Sequence, residues 1–297
     1  MPYSATAVVI APKAARLRLD PSSRAALIRF LSHPRYEVLP TEEAEELVVS
    51  HIPADVTITI TSSPKRGIDA TLSLAEGLAG RGYTVIPHLA ARLVRDTSHL
   101  KEIVSRLEPL GGNIFVVAGD SREAAGEFPD SVSLLTAIAA QGPSLRDIGI
   151  TGYPESHGFI DDDLTIQAMW DKRRLATYIV SNLCFDVRVL KRWVARVRRR
   201  GVQLPIHIGM AGVADPAKLL RVSTRIGISD SARFLRSHSN WLLRMVRPSG
   251  YSPERFATAL MPELAQPDRK VVGLHVFTFN EIEPTERWRQ EMLARLR

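Results

Sequence analysis

The amino-acid sequence predicts an α/β protein: a (β/α)8 TIM barrel with an N-terminal helical extension and extra helices between strands seven and eight. Two observations support this fold class. Eight strand-like segments alternate with helical segments, and many of these strands are continuous apolar runs, as is typical of strands covered on both faces. The length of 297 residues suits one barrel domain, residues 1–297, of which 1–33 form the extension. An open doubly wound sheet is the alternative.

The elements follow each other in a regular order. A helix predicted at Ser22–Leu31 could close one end of the domain, and an acidic helix follows the first strand from Thr41. The predicted strands are Tyr36–Leu39, Asp55–Thr61, Thr84–His88, Asn113–Ala118, Ile148–Thr151, Thr177–Cys184, Leu204–Ile208 and Val271–Phe279. The later predicted helices are Ala70–Ala79, Ser98–Leu110, Ser131–Ala140, Asp162–Leu175, Val187–Arg199, Ala217–Ile226, Ser231–Val246, Pro253–Leu264 and Thr285–Leu296.

The charge balance is basic, with 39 Lys and Arg against 32 Asp and Glu and a net charge of +7. This balance permits a polyanionic partner such as nucleic acid, a dinucleotide or a substrate with carboxylates. The densest basic run is Arg188–Arg200, in which apolar residues recur at helical spacing. We interpret its arginines as the solvated face of an amphipathic helix. No nucleic-acid-binding motif is found, so no nucleic-acid partner is expected.

The single cysteine, Cys184, excludes an intramolecular disulfide and suits a reducing compartment. No apolar run approaches the roughly 20 residues of a membrane-spanning helix, and the start at Met1-Pro2-Tyr3-Ser4 lacks a basic signal region. We therefore expect a cytoplasmic protein with no membrane partner. No metal site is predicted, and a homo-oligomer is left open.

Candidate functional residues are those at the carboxyl ends of the strands, where barrel enzymes place their catalytic groups. Glu37 stands out because it is a carboxylate within an apolar strand, and an inward-facing carboxylate there is a candidate acid. In an exposed sheet Glu37 would only face water. The same rule collects Thr61, His88, Asp120, Tyr153, Glu155, His157, Asn182, His207, Thr278 and Asn280. Each has a structural alternative, such as a turn, a cap or a buried histidine.

Seven segments, in order between about His33 and Glu286, resemble the methylenetetrahydrofolate reductase family. The segments are Tyr36-Glu37-Val38-Leu39-Pro40, Ile58-Thr59-Ile60-Thr61-Ser62-Ser63-Pro64, Val85-Ile86-Pro87-His88-Leu89, Asn113-Ile114-Phe115-Val116-Val117-Ala118-Gly119-Asp120, Gly152-Tyr153-Pro154-Glu155-Ser156-His157, Ser181-Asn182-Leu183-Cys184-Phe185-Asp186 and His275-Val276-Phe277-Thr278-Phe279-Asn280. The fifth segment is the most specific match. The resemblance implies a barrel that reduces methylenetetrahydrofolate to methyltetrahydrofolate.

The resemblance also implies roles for individual residues. Glu37 would protonate the leaving nitrogen of the folate, and Asp120 would hydrogen-bond the pterin and stabilise the developing cation. Asn182 and Phe277 would contact the folate, which is the expected small-molecule partner, with or without a polyglutamate tail. The cofactor would be held by Thr61, His88, Gly119, Tyr153, His157 and Lys172.

Departures from the family pattern make a bound FAD doubtful. Ala118 replaces an arginine that contacts the flavin in the family. Aligning Lys172 places Ala168 and Asp171 where asparagine and arginine face the pyrophosphate, and an aspartate there would repel phosphate. We therefore expect direct hydride transfer from NADH or NADPH, with NADH favoured. The alternatives are the same reaction through FAD, and a catalytically degenerate folate-binding or partner-binding protein.

Overall fold

The computed structural model describes residues 19–142, 145–154, 162–213 and 251–297, and only the backbone of residues 162–166. The strands are β1 (Arg35–Val38), β2 (Thr57–Ile60), β3 (Val85–Ala90), β4 (Asn113–Val117), β5 (Asp147–Gly152), β6 (Tyr178–Ser181), β7 (Ile206–Ala211) and β8 (Val271–Phe277). The α-helices within these ranges are α1 (Pro21–Ser32), α2 (Ala44–His51), α3 (Gly67–Gly80), α4 (Thr97–Leu107), α5 (Ser131–Gln141), α6 (Asp162–Lys172), α7 (Val187–Arg199), α8 (Pro253–Leu264) and α9 (Ile282–Leu296).

The eight strands form one closed barrel in chain order. Each strand pairs in parallel with the next, and β8 pairs in parallel with β1 to close the ring. The predicted (β/α)8 fold is thereby confirmed, and the open doubly wound sheet is excluded. The closure places the first and last strands side by side, with Glu37 opposite Phe277.

Successive strand residues face alternately outward and inward. The outward residues, such as Tyr36, Val38 and Ile58, join the helices in one large apolar core. A second, smaller apolar cluster contains Ile86, Phe115, Tyr178 and Val180, which lie on the inward face. Polar side chains share this interior with them, and those near the carboxyl ends of the strands form the candidate site described below.

The N-terminal helix α1 begins after Asp20, whose side chain accepts a hydrogen bond from the backbone of Ser23 at 2.9 Å. Its buried face includes Leu27, Phe30 and Leu31, and the helix contacts α8, α9 and β8. The predicted helix is confirmed, although its cap is Asp20 and not a serine of the Ser22-Ser23 pair.

A buried polar network joins the outside of β1 to α9. The Tyr36 hydroxyl donates to Glu286 at 3.0 Å, and the Arg289 guanidinium donates to both oxygens of that carboxylate, at 2.7 and 2.8 Å. Arg289 also donates to the Leu31 carbonyl at the end of α1. Burial, reinforced by the Glu286 charge, raises the pKa of Tyr36 well above its usual value. The hydroxyl is therefore a neutral donor.

Helix α7 has the predicted amphipathic pattern, with Leu190, Trp193, Val194 and Val197 buried. One of its arginines departs from the predicted solvated face. The Arg198 guanidinium donates to the carbonyl oxygens of Val202, Leu204 and Arg269 at 2.7–2.9 Å. Desolvation lowers the pKa of Arg198 to about 10. This arginine fixes the turn after α7 and is not part of a free basic surface.

Two strands end at least two residues earlier than predicted. After β6, Asp186 caps α7 by accepting from the Arg188 backbone at 2.8 Å, so the chain leaves the sheet before Cys184. After β8, Phe279 and Asn280 adopt positive φ angles of 52° and 58°, which a continuing strand cannot have.

The helices predicted at Ala217–Ile226 and Ser231–Val246 lie outside the described residues. Within the described ranges, no helix combines the length and apolar character that crossing a bilayer requires.

Candidate active site

The centre of the candidate site is Glu37, on β1 near the carboxyl end of the barrel. Its side chain is 17% exposed. The carboxylate oxygen Oε2 lies 2.9 Å from Nε2 of His275, with which it shares a hydrogen bond, and 3.9 Å from Nε2 of His88. The predicted acid is thus an inward-facing carboxylate with two imidazoles beside it, and not a residue on an exposed sheet.

His88 is a neutral imidazole at this position. Burial lowers its pKa to about 4, although the nearby Glu37 charge acts in the opposite direction. The ring packs against Phe115 with the centroids 4.7 Å apart. The Ser62 hydroxyl donates to the His88 backbone carbonyl, which ties the loop after β2 to β3. At neutral pH, His88 therefore gives Glu37 a polar neighbour without a positive charge.

His275 was not among the predicted site residues, although it lies in one of the family-like segments. It precedes Phe277 by two positions, so both side chains face into the barrel, and their rings are 4.9 Å apart. The sequence signal was this alternation, together with the polar character of His275 in an apolar strand. The rule that catalytic groups lie at strand ends does not reach His275, because this residue lies two positions before the end of β8.

A second polar layer lies on the inward face of the strands and contains His207, which was predicted as a strand-end candidate. The Arg35 guanidinium stacks over the Tyr178 ring at 4.2 Å, and His207 meets that ring edge-on at 5.5 Å. Burial, together with the charges of Arg35 and His275, lowers the pKa of His207 well below its usual value. Burial raises the pKa of Tyr178 to about 12. Both groups are therefore neutral at physiological pH.

Two further candidates hold the backbone around Glu37. The Thr278 hydroxyl donates to the Glu37 carbonyl at 2.6 Å. The Asn280 side chain accepts from the Leu39 backbone N–H at 2.8 Å and donates to the Leu39 carbonyl at 3.1 Å and the Thr41 hydroxyl at 3.2 Å. These side chains fix the path of the chain on both sides of Val38, so they position the acid.

Asp120 lies at the barrel mouth, after the turn made by Gly119. Gly119 has φ = +92°, and a Cβ there would approach that of Ala90 to 3.0 Å, so a side chain is disfavoured. Asp120 is exposed. Burial raises the pKa of Tyr153, and the Asp120 charge adds to this effect.

The other predicted substrate and cofactor residues are spread around the mouth. Among the described residues, the buried Thr61 hydroxyl has no hydrogen-bond partner, which makes it a candidate ligand contact. Asn182 is exposed, and its side-chain oxygen accepts from the Leu183 backbone at 2.8 Å. Phe277 lies beside His275 and Phe279. Both His157 and Glu155 lie outside the described residues.

The residues expected to face a flavin pyrophosphate make a poor phosphate site. Burial lowers the pKa of Lys172, and the carboxylates of Asp130 and Asp171 partly offset this effect. Asp171 is exposed and accepts from Gln167 at 2.8 Å. Arg173 stacks on the Trp170 ring with its guanidinium carbon 3.5 Å from the centroid. Two carboxylates thus act on Lys172, and both would repel a pyrophosphate placed beside this lysine.

Solved structures resemble the chain only at low similarity. A tryptophan synthase structure from M. tuberculosis is 12% identical with a TM-score of 0.47, over 95% of this chain and 99% of that one. An EDTA monooxygenase from Chelativorans sp. BNC1 is 11% identical with a TM-score of 0.49, over 89% and 93%. Neither likeness bears on the activity of this chain.

Comparison of sequences is more informative. Methylenetetrahydrofolate reductase 2 of Saccharomyces cerevisiae is 24% identical over 182 residues, which are 57% of this chain and 30% of the yeast protein. The match therefore spans less than a third of that relative's length. The family model for methylenetetrahydrofolate reductase matches residues 41–286, a segment that begins just after Glu37. Since this match covers most of the chain, the protein belongs to the methylenetetrahydrofolate reductase family.

Proposed function

We propose that this protein reduces methylenetetrahydrofolate to methyltetrahydrofolate by direct hydride transfer from NADH or NADPH, without a flavin. The observation that carries the proposal is the position of Glu37, a carboxylate inside the mouth of a barrel of this family with its Oε2 2.9 Å from His275. A carboxylate there can hold a proton where a bound substrate would need it. Reduced nicotinamide would supply the hydride.

The chemistry requires an acid because the methylene carbon of the substrate bridges two nitrogens. Hydride cannot add until one carbon–nitrogen bond opens, and the leaving nitrogen must then be protonated. Glu37 would donate this proton, since its carboxylate is partly buried and, among the described residues, its ion-pair neighbours within 4 Å are the imidazoles of His88 and His275. Opening the bond produces a cationic iminium, and hydride addition gives the methyl group.

Asp120 is suited to act at the other end of the substrate. Its carboxylate is exposed at the mouth, on the turn that Gly119 permits. A negative charge at this position would stabilise the cation that develops when the bond opens. Asn182, directly after β6, and Phe277, at the end of β8, would contact the folate. Thr61, His88, Tyr153 and Lys172 would shape the nicotinamide pocket together with the backbone of Gly119.

The charges around Lys172 disfavour FAD in the pose that the family resemblance implies, in which its pyrophosphate lies beside this lysine. Such a pyrophosphate would also face Asp130 and Asp171, and repulsion between like charges would offset the gain from the single cation. NADH also carries a pyrophosphate, so Lys172 would line the pocket at its nicotinamide end and the pyrophosphate would lie away from these carboxylates. Ala118 contributes no charge. NADH is the expected donor, and a cytoplasmic folate, with or without a polyglutamate tail, is the expected substrate.

The test is an absorption spectrum of the purified protein followed by NADH oxidation in the same cuvette. A colourless protein that oxidises NADH when methylenetetrahydrofolate is added, with no flavin supplied, supports direct transfer. A yellow protein with flavin bands, or a colourless one that needs added FAD, contradicts it and favours the flavin relay. A protein that binds folate but shows no turnover with NADH, NADPH or FAD favours the catalytically degenerate alternative.

A further inference from the structure

The pair formed by Glu37 and His275 has a feature that the reaction alone does not require. A lone carboxylic acid could protonate the substrate, yet here Oε2 of Glu37 lies 2.9 Å from Nε2 of His275, an imidazole whose side chain is only 2% exposed. On the far side of that ring, Nδ1 is buried and, among the described residues, has no hydrogen-bond partner. Among the described residues, Glu37 is therefore the group whose hydrogen bond sets which ring nitrogen of His275 carries a hydrogen.

We propose that His275 is a positioning residue that stores, as an imidazolium, the proton which Glu37 transfers to the substrate. The inference deepens the proposed function and rests on it for its catalytic part. In the charged pair, His275 carries hydrogens on both ring nitrogens and Glu37 is a carboxylate. The Nε2 hydrogen moves across the 2.9 Å contact to Oε2, which leaves a neutral imidazole and a carboxylic acid.

The step balances with one proton per turnover. Glu37 passes its proton to the leaving nitrogen, whose bond to the methylene carbon breaks with the electron pair remaining on nitrogen. The hydride from reduced nicotinamide then supplies the electron pair of the new carbon–hydrogen bond. The pair is left with one negative charge, on Glu37, and a neutral His275. One proton from solvent restores it.

The other groups that face His275 do not compete for this proton. Those groups are Arg35 and Glu37 on β1, His88 on β3 and His207 on β7. Burial keeps the pKa of His88 near 4, and the pKa of His207 lies well below its ordinary value. Arg35 is a permanent cation. Glu37 is therefore the only anion among these groups, and its carboxylate lies closer to His275, at 2.9 Å, than to His88, at 3.9 Å.

NMR tests whether Glu37 and His275 share a proton, and it needs no catalytic turnover. The whole protein is labelled with 15N-histidine, and its imidazole signals are followed as the pH is changed. The signals lost in His275→Gln identify His275. In Glu37→Gln, which removes the negative charge, we expect the imidazolium signals of His275 to disappear at a pH lower by roughly one unit or more. Glu46→Gln, the same substitution at an exposed carboxylate on α2, is the matched control and should leave the midpoint unchanged. An unchanged midpoint in Glu37→Gln overturns the proposal.

A kinetic measurement separates storage of the proton from simple hydrogen bonding. The glutamine of His275→Gln can donate to Glu37 but cannot store a titrating proton. We expect kcat at pH 7 to fall about tenfold or more, the alkaline limb of the kcat profile to move to lower pH, and KM for the folate to stay similar. If His275→Gln had the same pH profile of kcat as the wild-type protein, His275 would act only as a hydrogen-bond partner. This result would overturn the proposal.

The two measurements also distinguish this inference from the proposed function. If the wild-type protein shows no turnover with any donor, the proposed function fails, whereas the NMR titration still decides whether the pair shares a proton. If Glu37→Gln does not fold, Glu37→Asp takes its place, because a shorter side chain moves the charge away from His275. The midpoint of the His275 titration is then expected to fall to lower pH. An unchanged midpoint would contradict the proposed sharing of a proton between Glu37 and His275.

Discussion

The Thr278 hydroxyl donates a hydrogen bond to the backbone carbonyl of Glu37 at 2.6 Å, from the residue that follows β8. This contact crosses the seam where the barrel closes. We expect Thr278→Val, which keeps the shape and removes the donor, to lower kcat about fivefold to tenfold with KM unchanged, because the carboxylate loses its fixed position. Stability should fall by about 1 kcal/mol. Steady-state kinetics and urea unfolding measure the two effects.

The control is Thr136→Val, which removes a hydroxyl that bonds within α5 at the surface, 2.9 Å from the Val132 carbonyl. It should leave kcat unchanged. If Thr278→Val lost stability but kept full kcat, the contact would be structural only and would not position the acid.

Removing the acid itself should have the largest effect on rate. We expect Glu37→Gln to lower kcat by about 10²–10⁴-fold while the folate still binds, because the amide cannot supply the proton. Stopped-flow NADH oxidation and folate titration by fluorescence measure the two quantities. Full turnover in this variant would show that another group protonates the leaving nitrogen.

The charges around Lys172 should control flavin affinity. In the double variant Ala118→Arg with Asp171→Arg, we expect the FAD dissociation constant to fall by about tenfold or more, since each exposed charge contributes roughly 1 kcal/mol at contact distance in water. Quenching of FAD fluorescence measures this constant. The double variant Glu102→Arg with Ser105→Arg, on the exposed face of α4, makes the same change of three in net charge and is the control for net charge alone. Equal effects in the two proteins would mean that Asp171 does not face the phosphates.

The buried network of α9 should matter far more than an exposed pair on the same helix. Glu286 is paired with Arg289 at 2.7 Å in the interior, whereas Glu283 pairs with Arg287 at 2.7 Å in solvent. We expect Glu286→Gln to cost about 3 kcal/mol or more, because it leaves a buried guanidinium without its counter-ion. Glu283→Gln should cost less than about 0.5 kcal/mol. Urea unfolding at pH 7 compares them, and equal costs would contradict the network's role.

Stability should fall on acidification because of His88. Its pKa is about 4 in the folded protein and near 6.5 when unfolded, so between these values the unfolded chain binds more protons. Folding free energy is therefore lost as pH falls from about 6.5 to about 4, up to about 3 kcal/mol. In His88→Gln the slope of unfolding free energy against pH should be shallower in this window. An unchanged slope would show that His88 is not buried as a neutral imidazole.

The fold was predictable because its signals are local and repeated. Outward residues such as Ile58 and Ile60 make each strand apolar, and α7 shows its buried face as a regular spacing of Leu190, Trp193 and Val197. Glu37 was also predictable, since a carboxylate in such a strand must either be exposed or have a function. The ends of β6 and β8 were not, because they depend on a cap at Asp186 and on positive φ at Phe279 and Asn280.

The partners within the site were less accessible to sequence reasoning. Lys172 and Asp130 are far apart in the sequence, and only the folded chain brings their charges within reach of each other. Thr278 and Asn280 were strand-end candidates with a structural alternative, and their hydrogen bonds go to the backbone around Glu37. Such contacts depend on barrel closure, which no local pattern encodes.

Closure of the barrel by β8 against β1 has a consequence for the protein during its synthesis. Glu37 is made early during synthesis, but its imidazole partner His275 and its backbone support Thr278 are made near the end. A nascent chain that lacks β8 leaves this carboxylate without either. Under the proposed function, Glu37 therefore becomes competent as an acid only once β8 has closed the barrel, and truncated chains would not catalyse the reaction.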